Sequence, residues 1–217
     1  MQLLDSIYAR RSIRGFLDQP VSRPMIEQLL RISQRTMSGM NVQPWKFHIV
    51  TGDKLEQLKK ANIDGQRNYK GAFVGADLQG VYRERQVTIA KRLLESMGIG
   101  KEDKAARAGW AERGFRYFDA PAALILTVET GMHEHTAYFA IGSFCQTFCM
   151  AALEFGLGTC VESQGIFFQE AVRGILGIGA EENMIICIAF GYPDWSFPAN
   201  HVISDREKLE NVAVWHS

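Results

Sequence analysis

The sequence predicts an α+β fold with few strands and many helices, in a single domain over residues 1–217. Apolar runs typical of buried strands occur at residues 45–50, 121–128 and 184–190. Helical patterns precede and separate these runs, and neither a linker nor an internal repeat divides the chain. An incomplete α/β pattern stays open as the alternative, because strands and helices alternate over part of the sequence.

Capping residues and apolar spacing predict the helices. Residues 3–11 have the spacing of a short amphipathic helix. Ser22, followed by Arg23 and Pro24, is typical of a helix start, and that helix runs toward Gln34. Further helices are predicted from about residue 53, at 83–97, at 101–115 and, as a long apolar helix, at 135–155.

Two segments are expected to lack regular structure. Residues 62–80 are rich in Gly, Asn, Asp and Gln and are weakly periodic, which is typical of a lid or a mobile segment. Residues 156–163, directly after the long apolar helix, are expected to form a loop with exposed backbone N–H groups.

Composition excludes several classes of partner. Lysine and arginine together number 24, as do aspartate and glutamate, so the formal net charge is zero. A neutral chain has no general electrostatic attraction for nucleic acid or for an anionic membrane. Any anion that the protein binds must therefore meet a local cluster of basic residues.

The cysteines and the apolar segments bear on the compartment. The four cysteines lie in apolar surroundings without a CxxC pair, so we expect reduced thiols and a cytoplasmic location. The first residues have no long apolar run of a secretory signal. Residues 137–155 include Ser143, Gln146, Thr147 and Glu154, which favours a buried core helix over a membrane span.

The first cluster with chemical meaning is RRSIR, at the end of the first predicted helix. Arg10, Arg11, Ser12 and Arg14 place three guanidiniums and a hydroxyl within five residues. Arginine offers a fork of donors that matches phosphate oxygens, so this cluster predicts a phosphate site. The alternative is a set of basic residues that interact favourably with the negative end of the helix dipole at the helix C-terminus.

The second cluster is SGMNVQPW, just before the first predicted strand. Ser38, Asn41 and Gln43 put one hydroxyl and two carboxamides on a constrained loop. Carboxamides both donate and accept, as the polar edge of a heterocycle such as flavin requires. The alternative is an Asn-containing turn in which Pro44 and Trp45 are packing residues.

Three further groups are weaker candidates. Val161, Glu162 and Ser163 end the GLGTCVES segment, which is either a ligand-binding loop or only a helix C-cap. Arg206 in NHVISDR is either an anion ligand or a surface charge. The third group is aromatic and consists of Phe115, Tyr117 and Phe118. These side chains either cover a flavin ring or line an acceptor pocket, or they belong to the core.

In this order, the motifs resemble the FMN-dependent nitroreductase family, in the branch with RRSxR followed by SGxNxQPW. The resemblance also includes ERGFRYFDAP at 112–121, QTFCMAALEFGLGT at 146–159, and GYPD with NHVISDR at 191–206. It departs from the family pattern at Met37, where proline is common. The resemblance implies a small, mainly antiparallel sheet surrounded by helices, in an intertwined homodimer.

The resemblance also implies the roles of the candidate residues toward FMN. Ser38 lies where the partner subunit reaches the cofactor, and Asn41 and Gln43 lie near the flavin ring. Val161, Glu162 and Ser163 lie beside its redox-active edge. The residues implied to hold the phosphate and the ribityl chain are Arg10, Arg11, Ser12, Arg14 and Arg206.

The activity that the resemblance implies is that of a flavoprotein oxidoreductase. NADH or NADPH reduces FMN and leaves, and a nitroaromatic, quinone or similar acceptor is then reduced in the same pocket. Since the flavin carries the chemistry, no catalytic side chain is expected. No metal site is expected either, because His133 and His135 are two residues apart and no third ligand is close in sequence. Three alternatives stay open: reductive dehalogenation of halotyrosines, flavin destruction, and a flavin-binding module without turnover.

Overall fold

The computed structural model describes residues 2–71 and 77–217. Within these ranges the chain forms seven α-helices and four β-strands, joined by short 3₁₀ turns. The helices are α1 (Leu3–Ala9), α2 (Arg23–Ser33), α3 (Gly52–Asn68), α4 (Gly80–Ser96), α5 (Lys104–Phe115), α6 (Glu134–Glu154) and α7 (Gln169–Leu176). The strands are β1 (Trp45–Thr51), β2 (Ala122–Glu129), β3 (Gly158–Glu162) and β4 (Glu182–Gly191).

The four strands form one antiparallel sheet in the order β1-β2-β4-β3. The predicted α+β class with a small antiparallel sheet is therefore confirmed, and the α/β alternative is wrong. Strands β1 and β3 form the two edges. Three inter-strand spacings separate them, a distance of roughly 14 Å.

Helices cover both faces of the sheet. Alternate residues of β2 point to opposite sides, so Leu124 packs with Phe144 of α6, while Ile125 packs with Leu58 of α3. Residues of α2 join the first layer and Val172 of α7 joins the second. Because both faces are covered, β2 has a continuous apolar run instead of an alternating one.

Local signals place several helix ends correctly. The Ser22 side chain accepts a hydrogen bond from the Met25 backbone N–H, so the predicted start of α2 is confirmed.

Of the described helices, α6 alone is long and apolar enough to cross a membrane, and 44% of its most apolar window is buried. Phe144 and Phe148 of α6 are fully buried against the sheet, in agreement with the predicted core helix.

The structure corrects two expectations and adds one element that was not predicted. Residues 62–68 continue α3 and α4 begins at Gly80, so only 69–79 lie between them, and 72–76 are outside the described residues. The buried Asn62 holds this part of α3 by donating to the carbonyls of Phe115 and Gly165. The expected loop at 156–163 contains β3, and α7 was not predicted. Both elements are short, and contacts distant in sequence stabilise them.

Candidate functional site

The RRSIR segment leaves α1 and lies beside β3. Ser12 forms a parallel bridge with Thr159, and the Ile13 N–H donates to the Thr159 carbonyl at 2.9 Å. Ile13 is buried and anchors the segment, while its arginines are half-buried. The fold thus brings together two motifs that lie about 150 residues apart in the sequence.

A cavity of about 290 Å³ opens beside this junction. Arg14, Val161 and Glu162, three of the predicted site residues, line it together. Leu93 of α4 and Trp110 of α5 form part of its opposite wall. The structure therefore gathers part of the predicted site in one place, where a basic side chain faces the end of an edge strand.

The guanidiniums of Arg10, Arg11 and Arg14 form no ion pair with any described carboxylate. Arg14 donates to the Ser12 carbonyl at 3.3 Å, and its Cζ lies 5.9 Å from the centre of the Phe118 ring. Among the described residues, positive charge is therefore concentrated here without an ion-paired carboxylate, which favours the binding of an anion.

Arg206 lies elsewhere in the described chain. It lines a cavity of about 540 Å³ between α4 and the C-terminal segment, which shares no lining residue with the Arg14 cavity. Arg206 donates to its neighbour Ser204, and its flanking residues Asp205 and Glu207 pair with α4 arginines. The structure does not bring Arg206 to Arg14, and its phosphate role stays a prediction.

The SGMNVQPW loop is held by its own hydrogen bonds. Ser38 Oγ accepts from the Gln43 N–H at 3.1 Å, and Gln43 Nε2 donates to the Asn41 carbonyl at 3.2 Å. Met40, Asn41 and Gln43 have φ angles of 50°, 58° and 47°, in the left-handed region that non-glycine residues rarely adopt. The loop precedes β1, so it lies at the sheet edge opposite to the Arg14 cavity.

Glu162 is the carboxyl that lines the cavity, and its pKa is strongly shifted. Burial raises the pKa of Glu162 to about 7, although hydrogen bonds from its neighbours act in the opposite direction. Its Oε1 lies 2.7 Å from the Cys187 Sγ, and its Oε2 accepts from the Gly165 N–H at 2.8 Å. The carboxyl is therefore poised to hold a proton near neutral pH. Sequence reasoning missed Cys187, because β4 gave only an apolar pattern.

The three aromatic candidates separate in the structure. Phe118 lines the Arg14 cavity, whereas Phe115 and Tyr117 are fully buried core residues. Tyr117, Phe118 and Asp119 have consecutive φ angles of 54°, 54° and 61°. Such left-handed residues cost of order 1–3 kcal/mol each, and strain of this kind concentrates at functional sites.

Two further residues at the site were not assigned from the sequence. Asn200 and Arg113 bond the backbone of Arg14 and Gly15. Both lie inside quoted motifs, NHVISDR and ERGFRYFDAP, but only the fold brings them to RRSIR. Sequence proximity carried no signal for this contact.

Comparison with known proteins identifies the family. The sequence profile of the nitroreductase family matches residues 7–192. The chain belongs to the nitroreductase family. It is 30% identical over 217 residues to a nitrobenzene nitroreductase of Ectopseudomonas oleovorans, covering 97% of this chain and 95% of that relative. A 4-nitrobenzoate reductase of Pseudomonas putida is 29% identical over 208 residues, which cover 94% of this chain and 91% of that relative.

A solved nitroreductase structure shows the same architecture. The FMN and NADPH-dependent nitroreductase NfnB from sphigopyxis sp. strain HMH superposes with a TM-score of 0.91 at 27% identity. The match covers 100% of both chains. The resemblance to the nitroreductase family is therefore confirmed, whereas the branch with RRSxR and SGxNxQPW stays a prediction. Membership in this family makes the chain an oxidoreductase.

Proposed function

We propose that this chain is an FMN-dependent oxidoreductase that uses NADH or NADPH to reduce nitroaromatics, quinones or similar small acceptors. The observation that carries the proposal is the cluster of Arg10, Arg11 and Arg14, which forms no ion pair with a carboxylate in the described part of the chain, beside a cavity that Arg14 and β3 line together. The names of the relatives, which are nitrobenzene and nitrobenzoate reductases and an FMN-dependent nitroreductase, agree with this chemistry.

The residues in and next to the cavity fit FMN. Arg14 lines the cavity. Arg10, Arg11 and Ser12, its neighbours in RRSIR, would supply further donors for a phosphate, and this is a charge-assisted contact that arginine makes well. Strand β3 is a sheet edge, so beyond Thr159 its outward backbone groups have no further strand to bond. These groups and Ser163 would bind the polar edge of the flavin ring. The apolar side of the cavity, with Phe118 and Leu93, would exclude water from it.

FMN held by these residues would supply the hydride chemistry, and we expect a ping-pong sequence in which the nicotinamide leaves before the acceptor enters. The chain's own residues bind and orient. Arg14 would hold the phosphate end, and Val161 and Glu162 would lie beside the ring. Since burial raises the pKa of Glu162 to about 7, a large share of these carboxyls would hold a proton near neutral pH, and a neutral carboxyl beside the ring would repel negative charge less than a carboxylate does.

The second half of the site is proposed to come from a partner subunit. Ser38, Asn41 and Gln43 lie at the other edge of the sheet, roughly 14 Å across from β3. Exposed apolar side chains support a homodimer, and they include Leu4 (66% exposed), Tyr8 (83%), Phe139 (55%), Val214 (79%) and Trp215 (87%). Leu4 and Tyr8 lie on α1 and Phe139 lies on α6, two helices in contact, and neighbouring exposed apolar groups are typical of an interface. Arg206 would complete the phosphate site in that assembly.

Rapid-mixing spectroscopy tests the proposed reaction. Anaerobic mixing of the yellow protein with NADH or NADPH is expected to bleach the flavin absorbance within the turnover time. A second mixing with a nitroaromatic or a quinone is expected to restore it. A flavin that neither nucleotide bleaches would identify a binding module without turnover. Halide release from a halotyrosine, at a rate exceeding nitro reduction, would instead support the dehalogenase alternative.

A further inference from the structure

The carboxyl of Glu162 turns back from the end of β3 into the protein. Its Oε2 accepts from the Gly165 N–H at 2.8 Å and thereby closes the turn that follows the strand. The Gly165 carbonyl accepts from the Tyr117 hydroxyl at 2.6 Å and from Asn62 Nδ2 at 2.9 Å. Because both ends of the Gly165 peptide are bonded, the carboxyl has a fixed place beside the Arg14 cavity, which Glu162 lines.

Cys187 of β4 meets this carboxyl from the neighbouring strand. Its Sγ lies 2.7 Å from Oε1 of Glu162 and 3.0 Å from the backbone carbonyl oxygen of Glu162. A thiol both donates and accepts weak hydrogen bonds. When the carboxylate is ionised, the thiol donates to Oε1. When the carboxyl is protonated, its O–H donates to Sγ and the thiol proton turns to the backbone carbonyl. The pair therefore gains or loses one proton without leaving a buried polar group unbonded, which would be costly.

Glu162 is the group of this cluster that changes its charge near neutral pH. Burial raises its pKa to about 7. Burial also raises the pKa of the Cys160 thiol to about 12, and it holds the pKa values of Tyr117 and Cys187 well above their usual ranges, so these groups stay neutral. Arg14 supplies positive charge to the same cavity, but no basic side chain of the described residues forms an ion pair with Glu162. Among these groups, only Glu162 can therefore take up a proton when negative charge enters the cavity.

The proposed reaction changes the charge next to this carboxyl. Hydride transfer from NADH or NADPH to FMN moves two electrons and one proton, so one negative charge is added beside Glu162. The acceptor then takes the hydride and one further proton, which converts a nitro group to a nitroso group and water, or a quinone to a hydroquinone. A nearby negative charge raises the pKa of a carboxyl, because like charges repel strongly where the dielectric is low. The hydride step therefore favours the uptake of a proton by Glu162.

We propose that Glu162 is the redox-linked proton acceptor of this site, and that Cys187 is the partner that allows it to change between its two protonation states. Glu162 takes a proton from water when the electron pair enters the cavity. It gives this proton back when the acceptor consumes the hydride and a proton, so the charge of the site returns to its starting value. This inference rests on the proposed function. Glu162 acts through its charge, and neither side chain has to touch the reacting atoms.

Potentiometric titration of the flavin-loaded protein at several pH values tests the coupling. Each proton taken up with the electron pair makes reduction about tenfold less favourable per pH unit. Above a pH of about 7, where Glu162 is ionised before reduction, the wild-type dependence should steepen from about tenfold toward about a hundredfold per unit. Glu162→Gln has the shape of the protonated carboxyl and cannot titrate, so its dependence in this range should stay at about tenfold.

Two Cys187 variants distinguish a hydrogen-bonding partner from a packing residue. Cys187→Ser keeps a group that donates and accepts, so the steepening should remain. Cys187→Ala removes a donor that lowers the pKa of Glu162, so the steepening should begin about one pH unit higher. A residue with a packing role alone would leave this onset unchanged. If Glu162→Gln fails to fold, the difference in onset between the two Cys187 variants carries the test.

Infrared titration of the apo-protein gives a readout without flavin. A C=O stretch of a protonated carboxyl should titrate near neutral pH and be absent in Glu162→Gln, and the S–H stretch of Cys187 should shift over the same range. Glu182→Gln is the matched control, since Glu182 is another buried carboxyl that does not line the cavity. Burial would raise the pKa of Glu182, but its hydrogen bonds lower that pKa to about 2. Both signals should therefore persist in Glu182→Gln.

The outcomes separate this inference from the proposed function. If Glu162→Gln steepens as the wild-type protein does, or if no carboxyl titrates near neutral pH, the proton role is wrong and the flavin site stands. An equal onset in Cys187→Ala and Cys187→Ser would overturn the role of Cys187. A protein that binds no flavin, or whose flavin neither nucleotide reduces, refutes the proposed function and this inference with it.

Discussion

Replacing Arg14 by alanine tests the phosphate site directly. The side chain is half-buried and pairs with no carboxylate among the described residues, so its removal breaks no described ion pair. It donates to the Ser12 carbonyl and lies over the Phe118 ring, contacts worth about 1 kcal/mol or less. Folding should therefore survive the substitution, and the loss should fall on the ligand.

The size of the loss follows from the type of bond. A charge-assisted contact between a guanidinium and a phosphate contributes about 1.5–3 kcal/mol net. At about 1.4 kcal/mol per factor of ten, Arg14→Ala should weaken FMN binding roughly tenfold to a hundredfold. Ser12→Ala removes one neutral donor of about 0.5–1.5 kcal/mol, so its effect should be smaller.

Titration of apo-protein by flavin fluorescence quenching measures both affinities. Riboflavin binding should change little in either variant, since riboflavin has no phosphate. Arg31→Ala is the control for overall charge, because Arg31 is exposed on α2 and does not line the Arg14 cavity. Equal losses for FMN and riboflavin, or an unchanged affinity for FMN, would show that RRSIR is only a basic helix end.

Three other predictions follow from the same structure. Heating the protein should release FMN and not FAD, and chromatography showing mainly FAD would contradict a site with one phosphate cluster. The flavin-loaded protein should sediment as a dimer, whereas an active monomer of 24.4 kDa would refute the shared site. Burial alone would raise the pKa of Glu182, but hydrogen bonds from Lys46, Thr127 and His48 outweigh it and lower that pKa to about 2. The ionised Glu182 stabilises the fold fully above the unfolded carboxyl pKa of about 4.3, and this contribution is lost as the pH falls through about 2. Glu182→Gln should therefore remove roughly 1–2 kcal/mol of the pH-dependent part of the unfolding free energy. This range is reduced because the partner Lys46 is exposed to solvent. Denaturant titrations between pH 5 and pH 2 measure this, and an unchanged pH dependence would count against it.

Local features of the sequence predicted much of the fold. The Ser22 cap with Pro24 marked the start of α2, and the continuous apolar run of β2 indicated a strand covered on both faces. The order of RRSIR and SGMNVQPW was enough to identify the family. The cap, the apolar run and the two motifs are each local, so they can be recognised from residues close together in the sequence.

Long-range contacts determined the parts that the sequence did not reveal. Strand β3 has five residues, and its register is set by pairing with β4 and by the bridge from Ser12. Residues 62–68 have a composition typical of an irregular segment. The buried Asn62 is nevertheless accommodated in α3, because its Nδ2 donates hydrogen bonds to the carbonyls of Phe115 and Gly165. The pairing of Glu162 with Cys187 likewise depends on the sheet order.

The SGMNVQPW loop gives an independent physical reason for a second subunit. Met40, Asn41 and Gln43 occupy left-handed backbone conformations, at a cost of order 1–3 kcal/mol each. The free energy of unfolding of an ordinary domain is only about 5–15 kcal/mol. Backbone strain of this size is therefore expected to persist where it serves a function. Inside one chain the loop reaches no part of the Arg14 cavity, and Met40 is 95% exposed. We infer that contacts across a subunit interface offset the cost of these backbone conformations. There the exposed side-chain amides of Asn41 and Gln43 would meet a flavin held by the arginines of the partner subunit.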